Sequence, residues 1–88
     1  MASKRLLKRD VNYVMGDIIE AAYIHQLADP KQDPKKTEAI VDEAIVAFDE
    51  LIAKINQKNV ENKKQHFKGI EKDLETKANA LVEKINKL

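Results

Sequence analysis

Two histidines are the side chains whose type best suits proton transfer near neutral pH, His25 and His66. His25 has Asp29 four residues on, one helical turn away, which is the spacing of a carboxylate that orients a base. The surroundings favour a plainer role. His25 falls at the end of a helical pattern, where the negative end of the helix dipole tolerates its charge. His66 stands among Lys63, Lys64 and Lys68 with no carboxylate within one turn, which reads as a surface residue. Metal sites in helical bundles use Glu-x-x-His pairs, and neither histidine has an acid three residues before it. His-x-x-x-His is absent, and the chain has no cysteine to supply a thiolate or a disulfide. Asp42, Glu43, Asp49 and Glu50 could act as paired acids only in a pocket that splits their pKa values, so they read as a solvated outer surface. The two glycines, Gly16 and Gly69, lie singly inside helical patterns and cannot build a phosphate-cradling loop. No catalytic, cofactor-binding or metal-ligating residue is assigned. The expectation is a protein that is not an enzyme, with no cofactor and no small-molecule substrate.

Charge offers the next class of function. Lys4, Arg5, Lys8 and Arg9 cluster at the start, and Lys58, Lys63, Lys64, Lys68 and Lys72 gather further on. Such clusters could contact phosphates. Yet the chain has only two arginines, no helix-turn-helix signature and no interleaved aromatic platform. Sixteen basic residues against fifteen acidic ones leave a net charge of +1, too little for a global pull toward polyanions. Nucleic-acid binding through Lys63, Lys64, Lys68 and Lys72 is therefore carried as the alternative reading.

The elements that would position these residues are helical throughout. Eighty-eight residues make one domain spanning 1–88. Only four aromatics occur, Tyr13, Tyr23, Phe48 and Phe67, so the core must be aliphatic. Strand-like alternation is missing, and three segments carry apolar residues at steps of three and four. The first is expected over about 3–28, with Ser3 as N-cap and Leu7, Val11, Val14, Met15, Ile18, Ala21 and Ala22 on one face. Pro30 ends it, and Asp33-Pro34 opens the next as N-cap plus first-turn proline. The second helix, about 34–56, should bury Val41, Ala44, Ile45, Phe48, Leu51, Ile52 and Ile55. The third, about 60–87, has a seam of Phe67, Ile70, Leu74, Ala78, Leu81, Ile85 and Leu88. Within it Asp73 with Lys77 and Glu83 with Lys87 are spaced to pair along the helix.

Asn56-Gln57-Lys58-Asn59 holds no glycine or proline, but the apolar stripe turns by roughly 60° across it. A break there gives an antiparallel three-helix bundle. Without one, residues 34–88 would form a rod, and the alternative is a long helical hairpin that dimerises. No run approaches the roughly 20 apolar residues of a membrane span, and charges recur too early for a signal peptide. The expected location is cytoplasmic, away from membranes.

The first helix is apolar beyond one face. Leu6, Tyr13, Ile24 and Leu27 lie away from the core stripe, with Gly16 between them. Gly16 costs roughly 1 kcal/mol of helix stability and would permit close approach of another backbone. Leu6, Tyr13, Gly16, Ile24 and Leu27 are the expected interface of a small protein–protein interaction module that self-associates through this helix, or binds another protein by it.

The run Leu6-Leu7-Lys8-Arg9-Asp10-Val11-Asn12-Tyr13-Val14, with Asp17-Ile18-Ile19-Glu20 and Glu38-Ala39-Ile40-Val41-Asp42-Glu43-Ala44, resembles small all-helical bacterial proteins without an assigned function. That resemblance implies a helical fold and a bacterial source, and it supplies no activity, ligand or site residue.

Overall fold

The computed structural model describes residues 4–88 as three α-helices, α1 (Lys4–Ala28), α2 (Pro34–Ile55) and α3 (Lys63–Asn86). The expected cap Ser3 lies outside the described residues. All three helices pack on one another in a bundle of 50 × 18 × 18 Å. Among the described residues there is no strand, and no helix is long and apolar enough to cross a membrane.

The first connection is built as its residues dictate. Asp29 accepts from Lys31 N–H at 3.2 Å through its side chain and from Gln32 N–H at 3.0 Å through its carbonyl, folding the chain into a turn. The Asp33 carboxylate then accepts from Lys35 N–H at 3.0 Å, with Pro34 in the first helical turn. The second connection confirms the break. Asn59 adopts a left-handed φ of 62°, the reversal for which asparagine substitutes for glycine. Asn62 caps α3 by accepting from Gln65 N–H at 3.1 Å. The third helix thus begins at Lys63 rather than near residue 60, because Asn62 is the side chain able to satisfy the first-turn amides.

The core is aliphatic, as expected. Leu7, Val11, Met15, Ile18 and Ala22 of α1 meet Ile40, Val41, Ala44, Ala47, Leu51 and Ile55 of α2 and Ile70, Leu74, Leu81 and Ile85 of α3. Val14, Phe48, Ile52 and Phe67 are only partly buried against this cluster. The α2 stripe needs correction. Ile45 is 46% exposed, while Thr37, Ile40 and Ala47 are buried. At 100° per residue the buried face is turned by about 40° from the one its large apolar residues suggest. Both neighbouring helices set it: α1 encloses Thr37 at Gln26, and Ala47 lies at the α2–α3 groove beside Leu81, where a small side chain that hydropathy ranks low is covered.

Thr37, 2% exposed, shows how the interior handles a polar group. Its hydroxyl donates to the Gln26 side-chain oxygen at 2.7 Å, and the Gln26 amide donates to the Gln32 carbonyl at 3.1 Å. Helix α1, the loop and α2 are thereby tied together. No buried side-chain nitrogen or oxygen lacks a partner among the described residues.

Candidate functional site

The bundle carries its distinctive surfaces in three places. The first is the outer side of α1. Tyr13, Tyr23, Ile24 and Leu27 are exposed there, Tyr13 by 62% and Leu27 by 80%, and Leu6 is 43% exposed. Gly16 lies on the same side, and a Cβ placed on it would meet nothing within 4 Å. The glycine is therefore not there for close packing inside this chain, which removes that explanation and leaves an open notch on the helix surface. Beside the notch a groove of about 220 Å³ runs between α1 and α2, lined by Asn12, Gly16 and Ile19 on one bank and Ile45 and Phe48 on the other. Exposed Ile45 extends the apolar area beyond what helical spacing on α1 alone indicates. Its place in the expected core stripe of α2 conceals that contribution at the level of sequence.

The second surface is the end of the bundle where α1 begins and α2 turns into α3. Lys4, Lys58 and Lys63 line one cleft of about 330 Å³ with Asn59, Val60 and Phe67. The fold thus joins the first basic cluster to the second, a meeting that sequence separation conceals. It also divides the expected basic patch. Lys63 faces this cleft, whereas Lys64, Lys68 and Lys72 recur every four residues along the exposed side of α3. Glu71 and Glu75 are exposed on the same side at helical spacing, so that stripe is of mixed charge.

His66 belongs to this end but is not a free surface group. Its Nε2 lies 2.6 Å from the Lys54 carbonyl oxygen, which also accepts from Gln57 N–H at 3.2 Å. A carbonyl can only accept, so Nε2 carries the hydrogen and His66 caps the last turn of α2. Structural capping accounts for this histidine. The backbone of His25 accepts from Asp29 N–H at 3.1 Å, closing α1, and its ring is exposed.

The third surface is the seam between α2 and α3. Lys54 meets Asp73 at 2.8 Å, Glu50 meets Lys77 at 2.9 Å, and Glu43 holds Lys84 through both oxygens at 2.6 and 2.7 Å. The ladder descends α2 by four and then seven residues while climbing α3 by the same steps, which fixes an antiparallel register. Asp73 and Lys77 therefore do not pair with each other. Each reaches across to α2, where the opposing charge lies closer, while Glu83 and Lys87 do pair along the helix at 3.5 Å. The hydrogen bond and charge of Lys77 hold the Glu50 carboxyl below its ordinary pKa, and the hydrogen bond from Lys54 does the same for Asp73. Between the rungs lies an open groove of about 550 Å³ floored by Ala47, Ala80 and Leu81. No group of three or more metal-binding side chains occurs among the described residues.

The chain matches no protein-family model, no curated protein and no solved structure.

Proposed function

We propose that this protein is a small, non-enzymatic interaction module that self-associates through α1. The observation that carries the reading is the outer side of α1, where Tyr13, Tyr23, Ile24 and Leu27 stand in solvent on the side that also carries the Gly16 notch. Scattered exposed apolar residues are ordinary, but four on the side of one helix that faces away from its own core form a stripe that water disfavours. A second copy offers the same stripe, and a two-fold contact buries both at once. Light scattering or sedimentation on wild type and Tyr13→Glu tests this. A concentration-dependent dimer abolished by the charge supports it; a monomer at high micromolar concentration removes it.

The convergence of Lys4, Lys58 and Lys63 on one cleft supports a second reading, an accessory protein that contacts nucleic-acid phosphates. It predicts binding to DNA or RNA that weakens steeply with salt and with Lys58→Glu/Lys63→Glu. Failure of both polymers to retain the protein at low salt ends it. A cytoplasmic location and a bacterial source go with either reading.

A further inference from the structure

The exposed side of α1 carries a line of charged, aromatic and glycine positions that its aliphatic residues alone do not reveal. Arg9, Tyr13, Gly16, Glu20 and Tyr23 follow one another at steps of four, three, four and three, and every one of them is exposed. Residues at these steps share one face of a helix, so a second helix laid along that face meets all five. The first of the five is a cation, the fourth an anion, and the middle holds a large side chain next to an empty notch.

We infer that α1 pairs antiparallel with α1 of a second copy, Tyr13 of each chain packing over Gly16 of the other and Arg9 of each chain pairing with Glu20 of the other. The inference rests on the self-association reading and adds its geometry. In an antiparallel pair of identical helices, two residues face each other across the two-fold axis when the axis passes midway between their positions in the sequence. With the two-fold axis midway between Tyr13 and Gly16, Tyr13 faces Gly16 and Arg9 faces Glu20 together, since both pairs share that midpoint. The tyrosine ring fills the space in which a Cβ at position 16 would meet nothing. A slide by one heptad in either direction separates Arg9 from Glu20. A parallel pair would set Arg9 against Arg9, Glu20 against Glu20 and notch against notch, so like charges and a void oppose it. The second copy is therefore the occupant that the charges on this helix complement.

The test is a charge exchange read by sedimentation equilibrium, with circular dichroism to show that each variant folds. All of the exchanged side chains are exposed, so the bundle does not depend on them. Arg9→Glu and Glu20→Arg should each weaken the dimer by about tenfold or more, and the double variant should return it close to wild type. The cysteine-free chain allows a second readout. Under oxidation Arg9→Cys/Glu20→Cys should link two chains. Leu27→Cys should not, because the two positions would stand roughly 37 Å apart along the antiparallel pair at 1.5 Å per residue, far beyond disulfide reach. A dimer that ignores the exchange, or that links through Leu27→Cys, overturns the antiparallel register while leaving self-association intact. A monomer at every concentration overturns both.

Discussion

The hydroxyl of Thr37 and the side-chain oxygen of Gln26 meet at 2.7 Å across the α1–α2 interface, and the two residues are unequal partners. Thr37 is buried, while Gln26 is only partly so and also serves the loop carbonyl of Gln32. Gln26→Leu should therefore cost about 1–3 kcal/mol, because it strands a buried hydroxyl. Thr37→Val should cost less, because water can reach the glutamine it leaves behind. Urea midpoints at unchanged slope give the comparison. A larger loss for Thr37→Val would contradict the asymmetry.

Gly16 and Gly69 both sit inside helices, and an added Cβ at either would meet nothing within 4 Å, so each weakens its helix without relieving any clash. Gly69→Ala should raise stability by up to ~1 kcal/mol at every protein concentration. Gly16→Ala should do the same in dilute solution but lower the dimer's affinity, since the methyl enters the space assigned to Tyr13 of the second copy. Thermal melts over a concentration series separate the two effects.

Acid should loosen the α2–α3 seam. Glu50 and Asp73 have folded-state pKa values below their ordinary values of 4.5 and 3.8. Their contribution is therefore complete above those values and is lost as pH falls through the lower, folded-state ones. Stability should be flat near neutrality with respect to these groups and decline in acid. Glu50→Gln/Asp73→Asn should make the acid decline shallower. An unchanged acid limb in the double variant would show that the seam does not drive it.

Asn59 holds a left-handed backbone at φ 62° in the turn between α2 and α3. Asn59→Gly should be neutral or slightly stabilising, whereas Asn59→Val should cost about 1–2 kcal/mol, the penalty of that conformation for a branched side chain. Equal stability of the two variants would mean that the turn relaxes out of this conformation.

Much of the fold can be read from local chemistry. Pro30, Asp33 and Pro34 mark the first connection because proline geometry and carboxylate capping act within a few residues. The aliphatic seams of α1 and α3 follow from periodicity alone: Leu7, Val11, Ile18 and Ala22, then Ile70, Leu74, Leu81 and Ile85, are buried where their spacing puts them. The exposure of Tyr13, Ile24 and Leu27 follows from the same periodicity, since they fall opposite a stripe already sufficient for one face.

Other features exist only once three helices meet. The rotation of α2 that buries Thr37 against α1 and Ala47 beside α3 while exposing Ile45 depends on where both neighbours lie, because enclosure is a property of neighbours and not of a side chain's own hydropathy. Asp73 and Lys77 cross to Lys54 and Glu50 for the same reason: an ion pair goes to the nearest opposite charge in space. Short-range sterics and helical spacing are written along the chain, so three amphipathic helices, the Asp33-Pro34 start of the second and a mainly aliphatic core can be read there. Distances between residues far apart in the chain are not. The faces those helices turn to one another, the meeting of Lys4 with Lys58 and Lys63, and the role of His66 as a cap therefore emerge only when the bundle closes.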